Sequence, residues 1–287
     1  MNLFGKCWCG SGLAYKMCHK KYDKKIAVFK KTGHKVPPRS IIKNKYDIEM
    51  MKKSAAINMA VLDYVGANIK AGLTTEEIDR MVYEKTTELG GIPAPLNYNG
   101  FPKSVCTSIN NQVCHGIPSE DIVLADGDIV NVDVSTILDG YFSDSSRMYM
   151  IGEVSEERRK LVTVARECVE KGLEAVKPWG YLGDVGFAVN SHAIANGFSV
   201  VEDVGGHGIG HRFHEAPYVC YVTNKNTGMV LAPGMVFTIE PMVNAGKPEV
   251  FIDDDNGWTI YTDDGSDSAQ WEIMVLVTET GHEVLCW

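Results

Sequence analysis

Five side chains that have to meet set the strongest constraint on how this chain can fold. Asp133, Asp144, His207, Glu240 and Glu272 stand in segments that otherwise read as buried strands or glycine turns. Asp133 and Asp144 belong to a polar-lined hairpin, Ile129-Val-Asn-Val-Asp-Val-Ser135 followed by Phe142-Ser-Asp-Ser-Ser-Arg147. Carboxylates are rarely buried unless they are paired or bound to a metal. A fold that buries these segments must therefore gather the donors around something cationic. All five offer oxygen or nitrogen and none is a thiolate, a set suited to hard or borderline divalent ions held for hydrolysis and not to a closed structural zinc.

The hairpin carries its own register. Residues 128–136 alternate with period two, as a strand does, and Asp139-Gly140 is a strong two-residue turn signal. That turn places Ser135 opposite Asp144, with Asp133 two residues away on the same face. Carboxylates so close repel, and one takes a proton unless a cation lies between them. A hairpin with a solvated face is the plainer alternative, and the apolar neighbouring strands weigh against it.

The other donors have distinct settings. Gly205-Gly-His-Gly-Ile-Gly-His-Arg-Phe-His-Glu215 packs three histidines and four glycines into a turn where backbone can approach a ligand closely. His207 is the expected metal ligand, His214 is better placed to hydrogen-bond a substrate, and His211 has no assigned role. Val236-Phe-Thr-Ile-Glu-Pro241 and Ala269-Gln-Trp-Glu-Ile-Met274 each put a glutamate within an apolar strand. Either glutamate alone could be a salt-bridge partner; beside the hairpin, metal binding is favoured. Pro241 ends ladder pairing, so the strand before it should open onto a site. His115, in Val113-Cys-His-Gly-Ile-Pro118, could supply a hydrogen-bond donor near an attacked carbonyl.

The N-terminus carries a second donor set. Cys7, Cys9, Cys18 and His19 offer three thiolates and one imidazole, suited to closed tetrahedral Zn²⁺. So short a segment has no core of its own, and zinc would supply its folding energy. Residues 1–45 carry twelve Lys/Arg against one acid, Asp23, a charge of +11; the total of −9 leaves −20 for the rest. A basic head on an acidic body suggests contact with a polyanion, and a solvated basic linker is the bland reading.

Three segments are expected: the zinc motif at 1–22, a Lys-rich linker at 23–45 containing Pro37-Pro38, and a globular domain at 46–287. Within the domain, Thr74-Thr-Glu-Glu77 has capping-box spacing, with Leu73 and Ile78 as a hydrophobic staple. A second helix is expected from Ser155 to before Pro178, and another over about 183–196. Each half thus offers a long helix, a short loop, a second helix, a Gly break and strands with polar motifs. A duplicated α+β unit follows, with the site between halves.

The globular domain resembles the type I methionine aminopeptidases of the duplicated pita-bread fold. The resemblance rests on Asn97-Tyr-Asn-Gly-Phe-Pro-Lys-Ser-Val-Cys-Thr-Ser-Ile-Asn110, Cys114-His-Gly-Ile-Pro118, Gly206-His-Gly-Ile-Gly210, Phe237-Thr-Ile-Glu-Pro241 and Gln270-Trp-Glu272, in that order. The interval from His207 to Glu240 has no room for the insertion of the type II enzymes, and the head resembles the SEC-C zinc motif. This likeness implies two divalent ions on Asp133, Asp144, His207, Glu240 and Glu272, with Asp144 and Glu272 bridging. It implies substrate contacts from His115 and His214, and a methionine pocket lined by Tyr98, Phe101, Cys106, Phe213 and Trp258. Phe101 stands where a tyrosine is common. Gln112, with Asn110 and Ser268 nearby, falls in the segment that holds a monovalent cation in the family.

The resemblance implies release of the N-terminal methionine from nascent chains, with Glu240 moving the proton from the attacking water to the leaving amine. Fe²⁺, Mn²⁺, Co²⁺ and Zn²⁺ all suit the donors. Prolidase or aminopeptidase P activity is the enzymatic alternative, because those relatives share the five ligands. A non-enzymatic module that binds ribosomes or nucleic acid is the other; such relatives lose ligands that this chain keeps. The +11 head would then serve as an added ribosome contact. No apolar run approaches the roughly eighteen residues of a spanning helix, and no apolar core of a secretory signal opens the chain. Eight cysteines without such a signal point to the reducing cytoplasm, and monomer is the family expectation.

Overall fold

In the computed structural model, which describes residues 5–287, the two expected halves are present. A first helix, α1 (Lys20–Lys31), precedes them. The first half holds α2 (Lys45–Asn68), α3 (Thr75–Glu88), β1 (Ile92–Pro93), β2 (Cys106–Ile109), β3 (Gln112–Cys114), β4 (Ile129–Leu138) and β5 (Tyr141–Met150). The second begins with α4 (Glu156–Ala175), α5 (Leu182–Ala195), β6 (Ser199–Val200), β7 (Gly206–Gly208) and β8 (Glu215–Val219). It continues through β9 (Val236–Ile239), β10 (Met242–Asn244), β11 (Val250–Ile252) and β12 (Ile260–Thr262) to β13 (Ser268–Gln270), β14 (Ile273–Val277) and β15 (His282–Cys286).

Local chemistry sets the helix starts. Thr74 accepts from the Glu77 N–H while Glu77 accepts from the Thr74 N–H, the capping box read from the sequence. Ser155 caps α4 by accepting from the Arg158 N–H. Asn44 and Asp47 form a further capping box at the start of α2.

Each half packs two helices on a sheet. β1 and β2 share one edge of β4 and β5 runs along the other, with Ser135 paired to Asp144 as the turn predicts. Asp139 and Gly140 both take positive φ, 50° and 82°, as a two-residue type I′ turn requires. The second half builds a five-stranded sheet in the order β15-β14-β9-β7-β8. Its core includes Val169, Val185, Phe237 and Ile239; that of the first half includes Leu62, Ile78, Val132 and Val134. Met51 and Ala55 of α2 pack with Ile209, Met274 and Leu285, sealing one half to the other.

Two expectations change. Residues 23–45 are not an extended linker: α1 crosses the 22/23 boundary, and Tyr22 and Phe29 pack on Trp179 at ring distances of 5.5 and 6.2 Å. Asp23, the single acid of the head, accepts from Trp8, Tyr15 and Arg39. Lysines mask this order in the sequence: Tyr22, Ile26 and Phe29 recur at helical spacing and form a narrow apolar stripe, outnumbered by the charged residues around it. The body also starts before residue 46, since Ile41 and Ile42 belong to the second-half core and Lys43 is 4% exposed. Among the described residues no helix is long and apolar enough to cross a membrane.

Candidate metal centre and substrate cavity

The five predicted donors converge where the two sheets meet. Ser146 of β5 bridges to Glu272 through N–H···O bonds of 3.4 and 3.2 Å, joining the hairpin to the second half. Glu272 thus lies at the joint between β13 and β14, not within a strand as read from the sequence. Such a joint, with buried residues on both flanks, looks like one strand until its two sheets are known. Glu240 follows the last residue of β9, as Pro241 indicates.

Distances bring the donors together. His207 Nε2 lies 3.5 Å from Asp144 Oδ2 and 3.6 Å from Glu240 Oε1. Donor atoms of Asp144, His207 and Glu272 all fall within 4.8 Å of one another. The His207 Nδ1 lies 3.1 Å from the Gly208 carbonyl oxygen, which fixes the N–H on that side and turns the Nε2 lone pair toward the carboxylates. Asp133 Oδ1 and Glu272 Oε1 are buried without a hydrogen-bond partner. Lone pairs facing lone pairs, with two orphaned carboxylate oxygens, fit divalent cations and little else.

The electrostatics agree. Burial, with neighbouring carboxylates adding to it, pushes Asp133 and Glu272 well above the usual carboxylate range. Burial also raises Asp144 to about 7 and Glu240 to about 8. Four carboxylates cannot stay ionised together here without compensating positive charge.

Polar neighbours, only some of them legible in the sequence, orient the donors. Ser135 Oγ donates to Asp144 Oδ1 at 2.7 Å, and Thr238 Oγ1 to Glu240 Oε1 at 2.5 Å. Gln270 Nε2 donates to Glu240 Oε2 at 3.2 Å, and the buried Tyr221 hydroxyl accepts from the Glu240 N–H at 2.6 Å. Ser135 was visible through its place opposite Asp144 and Thr238 through alternation with Glu240. Tyr221 left no signal.

A cavity of about 530 Å³ opens over the donors. Its wall includes all five predicted pocket residues, Tyr98, Phe101, Cys106, Phe213 and Trp258, and both predicted substrate histidines. Phe101 meets Trp258 edge-on at 5.2 Å, and Tyr98 meets Phe213 at 4.9 Å. His115 is held at φ 55°, a conformation uncommon outside glycine, by a turn whose Gly116 N–H donates to Ser108 Oγ. Burial, and then His207, push His115 down to about 4, so at pH 7 it is neutral with one N–H to donate. His214 Nδ1 pairs with the Tyr98 hydroxyl at 2.9 Å, and desolvation lowers its pKa too.

The head forms a separate cluster. Cys7, Cys9, Cys18 and His19 present donors all within 4.8 Å of one another, with His19 Nδ1 3.2 Å from Cys7 Sγ and 3.1 Å from Cys18 Sγ. Three thiols and an imidazole at such distances fit one tetrahedral ion with no open position.

Residues 49–279 match the model of metallopeptidase family M24, and the chain belongs to that family. The methionine aminopeptidase A of Synechocystis sp. is 50% identical over 239 residues, 83% of this chain and 94% of that one. The methionine aminopeptidase of Chlamydia pneumoniae is 43% identical over 282 residues, 97% of this chain and 96% of its own, so the likeness extends into the head. The crystal structure of the methionine aminopeptidase from Rickettsia prowazekii superposes with a TM-score of 0.84 at 43% identity, covering 86% of this chain and 99% of that one. The fold is the duplicated pita-bread fold of these metallopeptidases.

Proposed function

We infer that this protein is a methionyl aminopeptidase, a metallo-exopeptidase that removes the N-terminal methionine from peptides and nascent proteins. The observation that carries the reading is a buried carboxylate–imidazole cluster at the base of an aromatic cavity. In our reading Asp133, Asp144, His207, Glu240 and Glu272 would hold two divalent ions. Such ions, when bound, lower the pKa of a water molecule and polarise the scissile carbonyl.

The chain's own side chains do the rest. Tyr98, Phe101, Cys106, Phe213 and Trp258 enclose a flexible apolar thioether, which suits sulfur against ring edges. His115 and His214 donate to the substrate and to the tetrahedral intermediate as charge develops on oxygen. Glu240, fixed by Thr238 and Gln270, takes the proton of the attacking water and returns it to the leaving amine. An aromatic and sulfur-lined pocket favours a thioether side chain over the proline-directed alternative. Incubation with Met-Ala-Ser and with an Ala-Pro peptide tests this. Release of methionine from the first supports it, and cleavage only of the second defeats it.

Metal removal should show a pH signature. In metal-free protein Asp144 and Glu240 rise to about 7 and about 8, from ordinary values of 3.8 and 4.5. The unfolded chain then holds fewer protons than the fold between about pH 4 and pH 8. The stability from protonated carboxyls, full below their ordinary pKa, is therefore lost as pH rises through the folded values. Metal binding needs the ionised forms and cancels that loss. The gap in melting temperature between metal-loaded and chelator-treated protein should widen from pH 5 to pH 8; a constant gap would contradict the assignment.

The donor types admit Fe²⁺, Mn²⁺, Co²⁺ or Zn²⁺ in this site, and one structural Zn²⁺ on Cys7, Cys9, Cys18 and His19. A monovalent cation at Asn110, Gln112 and Ser268, a monomeric state and a cytoplasmic place complete the reading. So does a three-part organisation in which the head begins at the zinc motif and the catalytic body near Ile41. The lysines of α1 would contact ribosomal RNA or protein near emerging substrates. Lys21→Glu with Lys24→Glu should then weaken salt-sensitive co-sedimentation with ribosomes; equal binding would refute the contact.

A further inference from the structure

The loop that carries Phe213 and His214 has little regular structure to hold it. Residues 209–214 join β7 to β8 without helix or strand, and the pairing register shifts between His207 and Gly208. One carboxylate closes this loop. Glu215 Oε1 accepts from the His211 N–H at 2.8 Å and from the Arg212 N–H at 2.9 Å. Its other oxygen meets Lys43 Nζ at 2.5 Å, from a residue 172 positions away.

Lys43 is unusual for a lysine. Its side chain is 1% exposed and that of Glu215 10% exposed, so the pair is shielded from solvent. Lysine is almost never buried so fully without a partner. Its backbone is fixed as well: the Lys43 N–H donates to the Gly234 carbonyl at 2.8 Å, and Ile42 bridges to Met235 just ahead of β9. Gly210, at φ 152°, lies so near that a Cβ there would overlap Lys43 Cε. The loop has therefore been shaped around the lysine.

We propose that Lys43 and Glu215 are positioning residues that lock the 209–215 loop, and with it Phe213 and His214, against the cavity. The proposal rests on the aminopeptidase reading, because it assigns those two side chains to substrate. A strap from the segment before α2 thereby sets the geometry of a loop more than 160 residues away in the chain. Neither residue touches the reacting atoms. Placement errors of about 1 Å at a reacting centre cost on the order of a hundredfold in rate.

Lys43→Met keeps the apolar stem and removes the charge. In the full-length, metal-loaded protein, kcat/KM for Met-Ala-Ser should fall on the order of a hundredfold, with bound metal unchanged. Affinity for free L-methionine should fall with it. Glu215→Gln, which keeps its volume and its backbone contacts, should lose about tenfold and serves as the test should Lys43→Met not fold. The double variant should be no worse than the poorer single one, since both break one interaction. A pair that only stabilises the fold would lower the melting temperature and leave kcat/KM and methionine affinity at wild-type values. That outcome, or single effects that multiply in the double variant, would overturn the proposal. The wild type is assayed alongside: its failure to release methionine would count against the function, not the strap.

Discussion

Asp144→Asn should lower kcat/KM for methionine release by at least about a thousandfold, equivalent to about 4 kcal/mol of transition-state stabilisation. The side chain is 5% exposed, its Oδ1 accepts from Ser135, and its Oδ2 faces His207 Nε2 at 3.5 Å. Asparagine preserves the volume and the Ser135 bond but replaces one donor oxygen with an N–H₂ and removes the charge. Divalent metal content should fall in parallel while the head keeps its zinc. The sign of the stability change separates this from simple unfolding. Without metal, the variant should melt no lower than metal-free wild type, because it removes a carboxyl from a crowded, desolvated group. Retention of a tenth of wild-type activity would contradict the role.

Glu240→Gln should produce a different pattern. Thr238 and Gln270 donate to the two carboxylate oxygens of Glu240, and Tyr221 accepts from its N–H. Glutamine therefore keeps the place with its oxygen toward Gln270 and its NH₂ toward the Thr238 hydroxyl, which then accepts. It cannot carry a proton from water to amine, a function worth about 10²–10⁴ in rate. Assayed in excess divalent metal, with bound metal measured at the wild-type level, kcat should fall about a thousandfold while KM, set largely by the aromatic cavity, changes by less than about fivefold. A rise in KM with kcat intact would show that Glu240 contributes only to binding.

Much of this site could be read in the sequence wherever local geometry determines the outcome. Asp139-Gly140 permits one tight turn, and that turn alone sets Ser135 against Asp144. The Thr74 and Ser155 caps act within one helical turn of themselves. Contacts made across the fold were not legible. Tyr221 reaches the Glu240 backbone, and Lys43 reaches Glu215, through chain paths that no local pattern encodes. Glu272 was assigned to a strand because the joint between β13 and β14 is flanked by apolar residues on one side and buried polar ones on the other. The head differs for another reason: the Lys25 ammonium and the Tyr22 and Phe29 rings hold it to Trp179, so charge composition suggests a linker where there is a docked helix.

Metal analysis of freshly purified anaerobic protein, paired with a methionine-release assay before and after mild chelation, decides whether this is a dinuclear methionyl aminopeptidase. We expect one zinc that stays with the head and two further divalent ions that chelation removes. Methionine release from Met-Ala-Ser should vanish with those two ions and return on adding back Mn²⁺ or Co²⁺. Release that survives their loss, or that never appears with either metal restored, would contradict that reading.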